Sequence, residues 1–169
     1  MIIIGLGNPG EEYINTRHNV GFMFLDFLIS KLALANFTDE KKFKAQISKN
    51  PNITLIKPLT YMNDSGMSVR AYFDFYKQNL TQESFMVAHD DLDIRLGSFK
   101  LSRRPPKGHN GLISISNNTG IEEFQKIKIG IDNRINQISG ISYVLQKFDN
   151  FEIETLNHIF EEIMIKINI

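Results

Sequence analysis

The sequence predicts an α/β layered fold, because short apolar runs typical of strands alternate with longer segments of helical period. The chain opens on the apolar run 2–6, which predicts a buried strand. Apolar residues then recur at steps of three and four over 20–34, which predicts a helix. Further along, 126–131 alternates strictly. This period of two predicts a strand with one apolar face and one face that shows Lys126 and Lys128.

The same patterns predict the remaining elements. Further strands are expected at 53–58, where Pro58 ends the run, at 85–88 and at 98–101. A second helix follows the first of these strands, with Asp64 or Ser65 as its cap. Its predicted buried stripe consists of Val69, Tyr72, Phe73 and Tyr76. A C-terminal helix is predicted from an apolar stripe that runs from Ile153 to Ile167.

Length and composition indicate one intracellular globular unit. The 169 residues predict a single domain over 1–169, and 42% hydrophobic residues suffice for its core. The absence of cysteine excludes disulfides and thiolate chemistry, and the four histidines are too scattered in the sequence to predict a zinc site. There is neither a basic leader nor a membrane-length apolar run. We therefore expect a soluble cytoplasmic protein without a membrane segment.

The charges are balanced overall but unevenly distributed. The formal net charge is zero, from 19 basic and 19 acidic residues. Residues 95–134 hold eight basic against three acidic side chains, whereas 149–169 hold five acidic side chains against one lysine. This asymmetry predicts a basic face and an acidic back. The alternative is an ordinary solvated surface, which charge alone favours.

A glycine motif near the N-terminus resembles a dinucleotide-binding loop. Gly5, Gly7 and Gly10 give the pattern G-x-G-x-x-G directly after the first predicted strand. Such a loop requires a helix that opens at its last glycine and an acidic residue about 20 positions further on. Here Pro9 interrupts the loop, and the acid nearest that spacing, Asp26, lies inside the first predicted helix. The motif therefore predicts a polar segment at a strand end, where open α/β sheets bind ligands.

Four polar segments could converge into a site. They are 8–18, 60–63, 89–91 and 108–111. Each asparagine in them has a structural alternative, as a turn or helix-cap residue, and singly that alternative is favoured. A histidine on a polar loop is a better candidate, because its ordinary pKa of about 6.5 suits a base near neutral pH. Without a G-x-S-x-G motif or a thiol, a histidine that activates water is the simplest hydrolytic scheme.

Four blocks carry a family resemblance. GLGNPGEEYINTRHNVGF, KPLTYMNDSG, VAHDDLDIRLG and GHNGLISI resemble the signature blocks of bacterial peptidyl-tRNA hydrolase, in the family's order and at nearly its spacing. The resemblance implies a single-domain three-layer α/β/α sandwich with a central mixed β-sheet, and no metal or organic cofactor. It also implies a monomer that cleaves the ester joining a peptide to the 3′-terminal ribose of tRNA. That reaction frees tRNA for reuse in translation.

The resemblance also assigns roles to individual residues. His18 is expected to be the general base, with Asp90 orienting its ring. Asn8 is expected to discriminate against substrates with a free amine. The other residues expected to line the cleft are Asn63 and Asn110, which bind peptide amides or water, Tyr13 and Tyr61 on the tRNA side, and Met62 as an apolar wall.

The chain departs from the family pattern near the expected RNA-binding surface. Instead of a loop of glycine and small residues, it has Arg103-Arg104-Pro105-Pro106-Lys107 before the last block, and the prolines stiffen this loop. Lys126 and Lys128 replace the family's arginines, and Asp132 replaces a glycine. Lysine keeps the charge but loses bidentate phosphate binding. The expected phosphate contacts are Arg103, Arg104, Lys107, Lys126 and Lys128.

Two other functions remain open on the sequence. Relatives with this fold act as RNA-binding splicing factors with reduced or lost hydrolysis, and the presence of His18, Asp90 and Asn63 makes that the less favoured alternative. The second is a hydrolase of small N-acyl esters that does not bind tRNA. The basic segment 95–134 argues against it.

Overall fold

The computed structural model describes residues 1–77, 80–135 and 138–169. Within them, the strands are β1 (Ile2–Gly5), β2 (Thr38–Glu40), β3 (Ala45–Lys49), β4 (Thr54–Pro58), β5 (Met86–Arg95), β6 (Phe99–Ser102) and β7 (Gln125–Asp132). The helices are α1 (Val20–Lys31), α2 (Ser65–Phe75), α3 (Asn110–Thr119), α4 (Gly140–Val144) and α5 (Asn150–Lys166). No helix in the described part of the chain is both long and apolar enough to span a membrane.

The strands form one mixed sheet in the order β2-β3-β4-β1-β5-β7-β6. The four strands β4, β1, β5 and β7 are mutually parallel, and the other three run antiparallel to their neighbours. Gly5 at the end of β1 pairs with Ala88 inside β5. The carboxyl ends of β1 and β4 therefore meet the middle of β5, just before Asp90. This edge is where a parallel sheet binds ligands.

Helices cover both faces of the sheet. On one face, buried residues of α1 and α5 pack with β7 and with Tyr143 and Phe148. On the other face, buried residues of α2 and α3 pack against Ile4, Ile56 and Val87 of the sheet. Alternate residues of β1 and β4 thus enter opposite cores, as the period of two requires. The predicted α/β sandwich with a mixed central sheet is confirmed.

Close backbone contact places α1 on the sheet. A Cβ on Gly21 would lie 2.4 Å from the carbonyl oxygen of Ala88 and 2.5 Å from the nitrogen of Leu6. A Cβ on Gly5 would lie 2.5 Å from the carbonyl oxygen of Gly21. These glycines therefore allow helix and strand backbones to touch. Only a single 3₁₀ turn follows Gly10, and the first α-helix, α1, begins at Val20, so the dinucleotide-binding interpretation is excluded.

Most predicted elements are present, with small differences at their ends. The first helix ends at Lys31 rather than 34. In α2, Val69, Tyr72 and Phe73 are buried as predicted, whereas Tyr76 lies beyond the helix and is 38% exposed. Asp64 occupies the N-cap position of α2 without a side-chain capping hydrogen bond. The patterns missed β2, β3, α3, α4 and the continuation of β5 to Arg95.

The prediction that β7 shows two lysines on an open face is wrong for Lys126. This side chain is 2% exposed. Its Nζ donates to the carbonyl oxygens of Glu122 at 2.8 Å and Phe124 at 3.0 Å, and it lies 3.9 Å from the centroid of the Phe124 ring. Burial lowers the pKa of Lys126 to about 8. The alternation predicted which face of β7 carries Lys126, but it did not predict that other residues cover that face.

Candidate active site

A loop that folds back on itself presents His18 at the sheet edge. After β1, the chain makes short 3₁₀ turns at Glu11–Tyr13 and Arg17–Asn19 before α1 begins. Asn8 and Asn19 close this loop. The backbone N–H of Asn8 donates to Oδ1 of Asn19 at 2.8 Å, and Nδ2 of Asn19 donates to the Asn8 carbonyl at 2.9 Å. The segment that carries His18 is therefore fixed at both of its ends.

Asp90 lies at the centre of the site. It is 3% exposed, and its Oδ1 lies 2.9 Å from Nδ1 of His18 and 2.9 Å from Nε2 of His109. The centroids of the two imidazole rings are 5.1 Å apart. His18 comes from the turn before α1, Asp90 from the middle of β5, and His109 from the N-cap position of α3. Three separate segments thus converge on one carboxylate oxygen.

The charge of Asp90 determines which ring nitrogens carry protons. Burial alone would raise the pKa of Asp90, but His109 and His18 outweigh it through charge and hydrogen bonds and hold that pKa below its usual range. An ionised carboxylate accepts hydrogen bonds only. Nδ1 of His18 and Nε2 of His109 must therefore both donate to Asp90. Nε2 of His18 is then the ring nitrogen that remains free to take a proton.

His89 is next to Asp90 in the sequence but is unsuited to be the base. It is 2% exposed, and its Nδ1 donates to the backbone carbonyl of Asp90 at 2.7 Å. Burial, together with the charge of His109, lowers the pKa of His89 to about 3. The ring therefore stays neutral near physiological pH and is too weakly basic to take a proton from water. Its contacts support the backbone of Asp90.

The cleft residues predicted from the second block lie beside this centre. Met62 is 4% exposed, and its backbone N–H donates to Oδ1 of Asn8 at 2.9 Å. Its sulfur lies 2.5 Å from the position that a Cβ on Gly111 would take, so Met62 packs directly against the start of α3. Tyr13 and Tyr61 meet edge to face with ring centroids 6.5 Å apart. Tyr61 is 60% exposed.

The three predicted asparagines differ in their surroundings. Asn63, in the 3₁₀ turn before α2, and Asn110, the first residue of α3, are both exposed. Asn8 is 8% exposed, and its side-chain oxygen is already occupied by the N–H of Met62. Among the described residues, Nδ2 of Asn8 has no hydrogen-bond partner. Asn8 therefore offers a donor to a ligand, whereas Asn63 and Asn110 offer whole amides.

The predicted phosphate contacts do not form one free basic surface. Lys126 is buried, as described above. Arg103 pairs with Glu83, and Lys128 pairs with Asp91 at 2.6 Å. These ion pairs neutralise part of the positive charge of segment 95–134. Within 1–77, 80–135 and 138–169, the exposed side chains of Arg104 and Lys107 have no ion-pair partner.

The site also contains a potential set of metal ligands. One ring nitrogen of His18, one ring nitrogen of His109 and a carboxylate oxygen of Asp90 lie within 4.8 Å of one another. Imidazole nitrogens and carboxylate oxygens are ligands that Zn²⁺ takes in proteins. The separation of the histidines along the sequence was therefore a poor guide to their separation in space. The expectation that the protein uses neither metal nor organic cofactor stays a prediction.

His109 is the site residue that the sequence patterns did not single out. Its block was recognised as polar, but the only candidate drawn from it was Asn110. The available signal was a histidine on a polar loop, the same signal that indicated His18. Only the fold brings its Nε2 to the oxygen that His18 already contacts.

Comparisons with known proteins show the family of this chain. A sequence-family model described as peptidyl-tRNA hydrolase matches residues 2–169. This chain belongs to the peptidyl-tRNA hydrolase family. A peptidyl-tRNA hydrolase of Bacillus cereus strain Q1 is 43% identical over 166 residues, which cover 95% of this chain and 87% of the relative. That of Bacillus cytotoxicus is 41% identical over the same shares of the two chains.

Solved structures of the family share the fold. The crystal structure of peptidyl-tRNA hydrolase from Acinetobacter baumannii has a TM-score of 0.82 to this chain at 33% identity. The match covers 95% of this chain and 82% of that one. A peptidyl-tRNA hydrolase crystallised with N-propanol also has a TM-score of 0.82, at 34% identity. The peptidyl-tRNA hydrolase architecture thus extends over nearly the whole chain.

Proposed function

We propose that this chain, acting as one domain over 1–169, hydrolyses the ester bond of peptidyl-tRNA and releases peptide and free tRNA. The observation that carries the proposal is the pairing of His18 with the buried, ionised Asp90, because it leaves Nε2 of His18 free at a ligand-binding sheet edge. Family membership supports peptidyl-tRNA as the substrate, since the relatives are named peptidyl-tRNA hydrolases.

The proposed chemistry is general-base hydrolysis. Nε2 of His18 removes a proton from water as the water oxygen attacks the ester carbonyl, and Asp90 stabilises the imidazolium that forms. The proton then passes to the leaving ribose oxygen. The His18 side chain is 15% exposed, which lets a water molecule reach the ring. Base catalysis of this kind contributes about 10²- to 10⁴-fold, enough for an activated ester.

The proposed role of Asn8 is to distinguish blocked from free amines. Its unpartnered Nδ2 can donate to the carbonyl of an N-acyl group or peptide. A free ammonium at the same place would bring two donors together in a largely desolvated site, which is costly. The exposed amides of Asn63 and Asn110 bind the peptide backbone or the attacking water, which suits a substrate of any peptide sequence.

For the tRNA part, we propose that Tyr13 and Tyr61 contact the 3′ end and that Arg104 and Lys107 are the main phosphate contacts. Both cations are exposed and free of ion pairs in the described structure. Arg103 and Lys128 contribute less, because their acidic partners offset them. A tRNA substrate also supports the expectation of a cytoplasmic location, and the monomer stays a prediction. Nothing observed favours the splicing-factor alternative, and the intact pair of His18 and Asp90 supports hydrolysis.

The base is tested by replacing His18. We expect His18→Ala to lower kcat by several orders of magnitude, because the variant loses the Nε2 that takes the proton from water, and Nδ1 of His109, the neighbouring ring, is buried. Asp90→Asn should cost less and should move the acid limb of the pH profile to lower pH, since a nearby negative charge favours the imidazolium. Release of tRNA from N-acetyl-aminoacyl-tRNA measures both effects. His158→Ala, at an exposed histidine of α5, is the matched control. Near-normal turnover by folded His18→Ala would refute the mechanism.

The role of Asn8 is tested by Asn8→Asp. The carboxylate keeps an oxygen for the N–H of Met62 but replaces the Nδ2 donor with a second acceptor, which attracts a free ammonium. We expect cleavage of unblocked aminoacyl-tRNA to rise relative to the N-acetylated substrate. Asn63→Ala should instead slow cleavage of the N-acetylated substrate itself. Asn117→Ala, at an exposed asparagine of α3, should do neither. The division of roles is wrong if Asn8→Asp and Asn63→Ala change both substrates equally.

The tRNA surface is tested by the salt dependence of binding. Each phosphate that a cation neutralises releases counterions, so binding should weaken steeply with salt. We expect Arg104→Ala and Lys107→Ala each to flatten the slope of log K against log salt by somewhat less than about one unit. Buried Lys126→Met and the remote, exposed Lys166→Ala are controls that should leave the slope unchanged. Unchanged slopes for Arg104→Ala and Lys107→Ala would remove these residues from the tRNA surface.

A further inference from the structure

The residue before His18 is held in an unusual position. Arg17 lies in the same 3₁₀ turn, yet it is only 6% exposed. Its guanidinium carbon lies 4.3 Å from the ring centroid of Tyr143 and 4.7 Å from that of Phe148. A guanidinium stacks favourably on aromatic faces, and a desolvated contact of this kind is stronger than an exposed one. Arg17 is therefore anchored against these two rings and is shielded from solvent.

The charge of Arg17 is matched by one buried carboxylate. Its Nη2 donates to both oxygens of Glu152, at 2.8 and 2.9 Å, and Glu152 is 4% exposed. The same carboxylate accepts the backbone N–H of Asp149 at 3.0 Å in the capping box of α5, and Nδ2 of Asn133 at 3.3 Å. Glu152 is thus fixed by the start of α5 and by the chain after β7, as well as by Arg17.

Backbone hydrogen bonds join the same two segments. The N–H of Arg17 donates to the carbonyl of Gln146 at 2.9 Å, and the N–H of Phe148 donates to the carbonyl of Asn15 at 2.9 Å. Thr16 and Lys147 form an isolated antiparallel bridge between them. The turn that carries His18 is therefore docked on segment 143–152.

The cost of burying these charges argues for a role beyond stability. Desolvating two ions costs several kcal/mol each by rough estimate, and apolar side chains of similar volume often stabilise a fold as well or better. The ion pair instead fixes the position of the Arg17 guanidinium, since its hydrogen bonds and the two rings define one place for it. That place is one residue from the ring that must meet Asp90.

We propose that Arg17 and Glu152 are positioning residues that hold the His18 imidazole against Asp90. Segment 143–152 then controls the general base through an ion pair that is itself buried. This inference rests on the proposed function of His18. A displacement of about 1 Å at a reacting group can cost about 10²-fold in rate, so the pair has leverage on catalysis without contacting the reacting atoms.

The test compares two glutamates of α5. Glu152→Gln keeps the shape and an acceptor for the Asp149 N–H but removes the charge that holds Arg17. Arg17→Lys is the second variant and leaves the capping box intact. We expect each to lower kcat on N-acetyl-aminoacyl-tRNA about 10- to 100-fold with KM unchanged. Glu161→Gln is the matched control, because Glu161 pairs with Lys31 on the surface at 2.5 Å and should leave kcat unchanged.

Two further measurements separate positioning from a structural role. When the hydrogen bond from His18 to Asp90 loosens, the acid limb of the pH profile should move to lower pH, whereas partial unfolding only scales the profile down. Because both residues act through His18, adding Glu152→Gln to His18→Ala should cost no further activity. An additive loss in that double variant contradicts the proposal.

The remaining outcomes are also decisive. Normal kcat in both Glu152→Gln and Arg17→Lys overturns the proposal, and so does failure of both to fold, which would show a structural role. Normal turnover of His18→Ala would instead overturn the proposed function. A lowered kcat, a shifted acid limb and no added loss beside His18→Ala together support positioning.

Discussion

The site depends on one buried negative charge. Asp90 sits in the middle of β5, nearly inaccessible to water, and is kept ionised by two imidazoles that donate to the same oxygen. Without these donors, burial would favour the protonated acid, which could not orient a base. With them, the proton of His18 is directed to Nδ1, and the nitrogen facing the cleft keeps its lone pair. The neutral His89 below holds the Asp90 backbone and adds no charge of its own.

The fold brings separate segments of the chain together at the sheet edge where Asp90 lies. Gly5 and Gly21 let α1 lie directly on the strands, so that the turn before the helix reaches Asp90. The start of α3 brings His109, and Asn8 ties the first loop to Met62 by a single hydrogen bond. These contacts join separate segments of the chain at the site. Preorganisation of this kind is what general-base chemistry requires, since small displacements of a reacting group are costly.

Periodicity predicted the layers of the fold because it is a local signal, and the polar strand ends indicated a site, whereas the pairing of His18 with Asp90 was implied by the family resemblance. The sequence did not predict features that depend on which residues contact one another in the folded chain. Lys126 alternates like a surface residue, but the chain around Phe124 covers it. His109 and Asp90 are far apart in sequence and meet only across the sheet edge. Arg17 and Glu152 lie near opposite ends of the chain, so no local pattern pairs them. The edge strand β2 has only three residues, too few for a clear period.

The most direct test of this account is the tautomer of each histidine, read from the ring nitrogens by ¹⁵N NMR at a pH where the imidazoles are neutral. If the ionised Asp90 accepts from both rings, His18 carries its proton on Nδ1 and His109 carries its proton on Nε2. In Asp90→Asn, His18 and His109 should no longer be held in these two different tautomers. A wild-type His18 protonated on Nε2, with an unprotonated Nδ1, would contradict the account, because the nitrogen assigned as the base would already hold a proton.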